Sequence, residues 1–450
     1  MNFLRMAGRT FLWLIVGLAS LLIIFILIAI GPVDKTPATS YESYNKMLSS
    51  LDTIHFSDNG QTSVLKAGYS KVSLIPPFPT ATAGYGKRKG ELYSGIRDSL
   101  FVRTIVITNG LTKVAIVSAD LLIIPPTVTM TLNDKLSGSG FDLHNTFLSA
   151  THTHNSIGNW GEGATQFLYG EYDDRVIDFI GDQIRKSIDD ASRNMSDVQI
   201  AHGTLNIPDA VNNRVIDGGP EDSLLRMLRF SFADGRKLLL MSFTAHATCL
   251  FSKDMELSAD YPGELIRDIE NAGYDFAMFA AGAVGSHNST APVAGEACIE
   301  WTAKAISREV YGASFRDITS PKLLMVKVDL LLGDPQVKIS QDWKVRSWFF
   351  RAAFGEYPAF LTALQIGDVI LLGTPCDFSG ELTAAIDSTA SAHNLSAIVT
   401  SFNGGYIGYV TPASHYDINH YETRLMNWYP PGTGEYIQQA LIELVEHAAD

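Results

Sequence analysis

Phe147-Leu-Ser-Ala-Thr-His152-Thr-His154-Asn155-Ser156 is the stretch from which the rest of the chain can be read. A short apolar run of strand character leads straight into two histidines at i and i+2. On a strand the two rings point the same way; on a loop they can converge on one ion. A His-x-His pair alone is as consistent with two satisfied structural histidines as with metal, so its neighbours must decide. Strand ends in α/β proteins are where ligands collect. A second apolar run, Leu238-Leu-Leu-Met-Ser-Phe-Thr-Ala-His246, also delivers a histidine at its end. A third, Asp368-Val-Ile-Leu-Leu-Gly-Thr-Pro-Cys-Asp377-Phe-Ser-Gly-Glu381, places a carboxylate at the start of a helix. Glu381 is the expected group and Asp377 the alternative, although an acid at a helix N-terminus also complements the helix dipole without any metal.

Outward from these runs, extended apolar segments alternate with amphipathic ones. Strands are expected at Leu100 to Thr108, Lys113 to Ser118, Thr146 to Ala150, Leu224 to Phe232, Leu238 to Phe243, Phe276 to Ala281, Leu323 to Leu332, Ala363 to Leu372 and Ala397 to Phe402. Helices fit Asp174 to Ser192, Pro262 to Asn271, Ala297 to Val310, Gly380 to Ser391 and Gly434 to His447. The interleaving predicts an α/β fold, a layered core of mixed β-sheets flanked by helices.

Composition narrows the function. The chain has 450 residues, 46% of them hydrophobic, and 34 Lys plus Arg against 48 Asp plus Glu give a net charge of -14. No basic field exists to attract nucleic acid. Cys249, Cys298 and Cys376 are widely spaced and contain no C-x-x-C, so neither a disulfide framework nor a zinc ribbon is read from them. Any metal is therefore expected on His, Asp, Glu or Tyr.

From Phe11 to Ile30 runs FLWLIVGLASLLIIFILIAI, without a charge and about 30 Å long as a helix. It predicts one N-terminal transmembrane helix over 11–31. Arg5 and Arg9 precede it, which leaves residues 1–10 in the cytoplasm and the remainder on the extracytoplasmic side, periplasmic or extracellular. A cleaved signal peptide is the competing reading. The polar segment 32–62 is expected to be a stalk, with a short helix around Tyr41 to Leu51, and 63–450 the catalytic domain.

Several collinear pieces resemble one family, the neutral/alkaline non-lysosomal ceramidases, zinc-dependent amide hydrolases of sphingolipids. The pieces are Ala83-Gly-Tyr85-Gly; Gly95-Ile-Arg97-Asp-Ser-Leu-Phe-Val-Arg103; Val114-Ala-Ile-Val-Ser-Ala-Asp120; Ser149-Ala-Thr-His152-Thr-His154-Asn-Ser; Asn213-Arg214; Phe243-Thr-Ala-His246; Gly367-Asp-Val-Ile-Leu-Leu-Gly-Thr-Pro; Gly405-Tyr406-Ile-Gly-Tyr409-Val-Thr; and His420-Tyr421-Glu422. The resemblance implies one zinc held by His152, His246, Glu381 and Tyr409, and an amide bond of ceramide or a related N-acyl lipid cleaved by zinc-activated water. It places His154 beside the metal, and Arg214 and Tyr421 opposite the substrate amide.

The departures are as informative. Where the family carries Gly-Asp-Val-Ser-Pro-Asn, this chain reads Ala283-Val284-Gly285-Ser286-His287-Asn288, which keeps Ser286 as a site residue but loses the acid and the proline. The glycine-rich run after the histidines is altered to Ile157-Gly-Asn-Trp160. The sequence given holds no counterpart of the family's C-terminal immunoglobulin-like domain, so the expectation is a catalytic domain with a membrane anchor. Two other functions stay open: the same zinc site hydrolysing another amide or an ester, and a catalytically silent lipid-binding homologue.

Overall fold

The computed structural model describes residues 2–54 and 64–449. Its centre is two β-sheets lying face to face. The larger is nine-stranded, in the order Phe276–Ala281, Lys237–Phe243, Leu224–Phe232, Ser196–Asn206, Lys66–Ser73, Phe101–Thr108, Lys113–Ala119 and Thr146–Ala150, with the short Arg316–Asp317 pairing beside Ser196–Asn206. Its two outermost pairs are parallel and its interior antiparallel. The smaller sheet runs Leu323–Asp329, Phe360–Ile366, Val369–Thr374, Ser396–Ser401, the last pair parallel.

Side-chain alternation explains the layering. In Phe101–Thr108, Val102 and Val106 join one buried cluster with Ile180 and Ile184 of helix Asp174–Arg193 and Ile299 of helix Glu296–Val310. Ile105 and Ile107 face the other way, into a second cluster shared with Leu364, Leu371 and Ile398 of the smaller sheet. The outer face of that sheet, through Ala363, Ile370 and Leu372, packs on helices Glu42–Leu51, Thr383–Ala392 and Thr433–Ala449. The chain is thus a helix-sheet-sheet-helix sandwich, the mixed α/β class expected. Both faces of the central strands are apolar, as their Val/Ile/Leu runs require.

Three expectations are corrected. The run from Ala363 to Leu372 is not one strand but a hairpin, because Gly367, at φ +58°, turns the chain and Ile366 pairs back onto Val369. Cys249 and Cys298 form a disulfide. The expected stalk is in its first part a packed element: Ile30–Pro32 pairs with Trp343–Val345, and Met47 and Leu51 are fully buried against the C-terminal helix. Residues 55–62 of that stalk, and the boundaries at 1, 63 and 450, lie outside the described residues. Met47→Ala or Leu51→Ala should each lower stability by ~2–5 kcal/mol, the usual cost of a core cavity. Denaturant midpoints unchanged in both variants would restore the free stalk.

Helix Asn2–Ala29 contains Thr10–Ala29, of mean hydropathy 3.0 and exposed up to Ile28, with Ala29 buried. It is long and apolar enough to cross a membrane.

Candidate functional site

Four strands of the sandwich end at the same edge and each hands over to a polar loop. Thr146–Ala150 leads to His152, Lys237–Phe243 to His246, Val369–Thr374 to Asp377, and Ser396–Ser401 to Tyr406 and Tyr409. This is the carboxyl-end location at which α/β sheets place ligands. His152 sits in the left-handed region at φ +61°, as does Phe402 at φ +67°, and the two rings stack with centroids 4.2 Å apart. Strained non-glycine backbone of this kind persists where the surrounding packing over-determines it.

The two buried histidines are oriented in the same way. His152 Nδ1 lies 2.6 Å from the Leu122 carbonyl oxygen and His246 Nδ1 2.8 Å from that of Val284. A carbonyl only accepts, so each Nδ1 carries the proton and each Nε2 presents a bare lone pair. The lone pairs meet one carboxylate: Asp377 Oδ1 is 3.3 Å from both Nε2 atoms and has no hydrogen-bond donor. Three acceptors pointed at one another repel unless a cation lies between them. Four ligands held tetrahedrally at ~2.0–2.1 Å from one zinc-sized ion stand ~3.3–3.4 Å apart, so the observed separations match that geometry. Tyr409 Oη, 3.0 Å from His246 Nε2, completes the set. His154 Nε2 is 3.3 Å from His152 Nε2, and the ring nitrogens of His152, His154 and His246 lie within 4.8 Å of one another. The donor set therefore fits a metal ion.

Charge agrees with this reading. Burial, reinforced by Arg214, pushes the His246 imidazole down to about 4, so it is neutral near pH 7. Burial and the neighbouring His152 hold His154 well below its ordinary value. Tyr406 donates to Asp377 Oδ2 at 2.8 Å, which leaves Oδ1 for the histidine side.

Glu381 is the correction at this site. Its Oε1 faces His415 Nδ1 at 3.4 Å, and no contact links it to either histidine. Glu381 lies on the Gly380–Leu382 turn, whose entry is fixed by the Ser379 side chain accepting from the Glu381 amide. The carboxylate brought to the histidines is Asp377, three residues past its strand as His246 is past its own.

The remaining expected residues surround this cluster. Arg214 Nη2 lies 3.0 Å from His246 Nε2 and 3.5 Å from Tyr409 Oη, while its Nε donates to Glu422 Oε1 at 2.5 Å. Burial disfavours its charge and Glu422 more than restores it. Tyr421 is 42% exposed, its ring 5.6 Å from that of Tyr409, so it stands on the open side. Ser286 is placed differently. Its hydroxyl bonds to Ser379 Oγ at 2.8 Å, its amide donates to Glu422 Oε2, and its carbonyl accepts the Arg214 amide. It braces Arg214 and Glu422 rather than meeting the histidines. His287 is also structural here, accepting the Asp222 amide at Nε2 and facing the Gly285 carbonyl at Nδ1. The sequence reading missed Glu422 and Tyr406 as participants, although both stand inside quoted motifs.

Residues 76–274 match the family model described as neutral/alkaline non-lysosomal ceramidase, N-terminal. The ceramidase resemblance is borne out. That stretch holds His152, His154, Arg214 and His246; Asp377, Tyr409 and Tyr421 lie beyond it. Among solved structures, the neutral ceramidase from Pseudomonas aeruginosa matches with a TM-score of 0.74 at 17% identity, over 86% of this chain and 75% of that one. A ceramidase complexed with C2 matches with the same TM-score and identity over 85% and 75%. At that identity the likeness is one of fold. No curated protein matches the chain by sequence.

Proposed function

We propose that this protein is a membrane-anchored, zinc-dependent hydrolase that cleaves the amide bond of ceramide or a related N-acyl lipid. The observation that carries the reading is the convergence of His152 Nε2, His246 Nε2, Asp377 Oδ1 and Tyr409 Oη from four strand ends onto one point. Two imidazoles, a carboxylate and a phenol suit zinc, with room for substrate on the Tyr421 side. Zinc, when bound, supplies the Lewis acidity that activates water and polarises a carbonyl.

The chain's own residues supply the rest. Arg214 and Tyr421 donate to the amide carbonyl, where negative charge develops. Arg214 is aimed by Glu422, and Glu422 is itself held by the Ser286 amide. His154, neutral and with Nε2 3.3 Å from His152 Nε2, orients the attacking water or stabilises the oxyanion. Ser286, its hydroxyl engaged by Ser379, is a positioning residue and not a nucleophile. The N-terminal helix keeps the site at the bilayer, and the Cys249–Cys298 disulfide agrees with an oxidising, extracytoplasmic compartment. On this reading the folded unit begins with the Ile30–Pro32 pairing, not at 63.

Metal analysis of the purified full chain should find about one zinc, and His152→Ala or His246→Ala should each remove it, because an open site with three or four ligands does not tolerate the loss of one. Tyr409→Phe should reduce turnover more than metal content. Stoichiometric zinc in both histidine variants would end the assignment.

A further inference from the structure

A cavity of about 810 Å³ lies beside the metal cluster without including any of its ligands. That size falls within the ~300–1,000 Å³ of small-molecule sites. Its walls include Trp160, Leu332, Phe350, Phe354, Tyr406 and Trp428. The aromatics interlock: Phe350 packs on Trp428 with centroids 5.2 Å apart, and Trp428 meets Tyr406 edge-on at 5.6 Å. Tyr406 is the phenol that holds Asp377 Oδ2, so this wall is shared with the metal centre.

Phe350 and Phe354 of this wall belong to helix Ser347–Phe354, which is also where the N-terminal apolar helix is seated. Trp348 Nε1 donates to the Ile28 carbonyl at 3.2 Å, Phe349 packs edge-on against Phe25 at 5.7 Å, and the Arg346 amide donates to the Ala29 carbonyl. One short helix therefore separates the end of the membrane-crossing segment from the cavity. The charged lining residues are paired: Lys46 with Glu42, Arg351 with Glu356 and with Asp334 beside the cavity, Asp329 with Lys327, and Glu162 accepts from the Tyr357 hydroxyl. Among the described residues no lining cation is left unpaired for a phosphate, which points to an uncharged occupant.

We propose that this cavity seats one hydrocarbon chain of an uncharged bilayer lipid, taken up alongside helix Ser347–Phe354 and packed against Tyr406 and Trp428. The assignment rests on the lipid-amide reading above and extends it. Chain contact with Tyr406 holds the phenol on Asp377, so occupancy of the cavity and the order of the metal centre support each other.

The test uses the full chain in detergent micelles with two probes, an N-hexadecanoyl amide of a long-chain amino alcohol brominated in mid-chain and its N-acetyl counterpart. The brominated chain should quench tryptophan emission, and Trp428→Phe should remove much of that quenching. Ala359→Phe narrows the cavity. It should lower kcat/KM for the hexadecanoyl amide by ~10²-fold, roughly fourfold for each of three or four displaced methylenes, and leave the acetyl amide within about twofold. Unquenched emission at saturating brominated amide, or equal loss on both substrates, overturns the proposal. Should Ala359→Phe fail to fold, the Trp428 quenching in the unmodified protein decides alone. Quenching without hydrolysis of either amide keeps the chain site and removes the amidase reading.

Discussion

Asp377→Asn is expected to empty the metal site, reducing bound zinc from about one to less than a tenth per chain and kcat/KM by ~10³ or more, while Glu381→Gln keeps both near their starting values. The reason is positional. Asp377 Oδ1 stands 3.3 Å from both histidine Nε2 atoms, whereas Glu381 faces His415. A further consequence separates ligand loss from misfolding. In metal-free protein Asp377 Oδ1 faces the Nε2 atoms of both histidines and has no donor of its own, so an asparagine NH2 at the same position gains acceptors where the carboxylate has none. The apo form of Asp377→Asn should therefore be at least as stable as the unsubstituted apo protein. Metal analysis, turnover and apo melting together check the assignment. A Glu381→Gln variant that also loses its zinc would show that the carboxylate has been misassigned.

Glu422→Ala is the second large effect, and it acts on stability as well as rate. Glu422 is fully buried and bridges the Arg214 guanidinium to the Ser286 amide. Removing it strands a buried arginine charge and an amide donor, which typically costs ~3–5 kcal/mol. Turnover should fall by ~10²–10³, the usual loss when a donor aimed at developing charge is misplaced. Arg214→Met added to Glu422→Gln should recover most of the stability and none of the rate, because the stranded charge is gone but so is the donor. Denaturant titration and steady-state kinetics on the two variants separate the effects. Near-normal kcat in Glu422→Ala would remove Arg214 from the chemistry.

The apolar runs were enough to specify the elements. Full burial goes with short runs dominated by apolar and small residues in Thr146–Ala150 and Phe276–Ala281, and these strands, like Leu224–Phe232, match their sequence-read limits residue for residue. Ser196–Asn206 was not anticipated, since its SDVQIAHGTLN mixes polar and apolar residues and only its pairing with Leu224–Phe232 reveals a strand. Helix Ser347–Phe354 was likewise invisible: an aromatic octapeptide has no periodicity long enough to read, and it owes its place to the contacts on either side of it.

For the site, the sequence by itself pointed to His152, His154 and His246, because apolar runs lead into them and the order of motifs resembles that of the ceramidases. For the carboxylate it pointed to Glu381, with Asp377 as the alternative. Both are acids in one loop, four residues apart, and helix-dipole chemistry gave Glu381 an equally ordinary reason to exist. Only the tertiary structure decided, by pairing Asp377–Phe378 with Tyr409–Val410 and so carrying the Asp377 carboxylate and the Tyr409 phenol to the histidines together, while the Gly380–Leu382 turn carries Glu381 to His415. The roles of Glu422 and Tyr406 were decided in the same way. A hydrogen bond across more than a hundred residues, such as Glu422 to Ser286, leaves no mark on local periodicity.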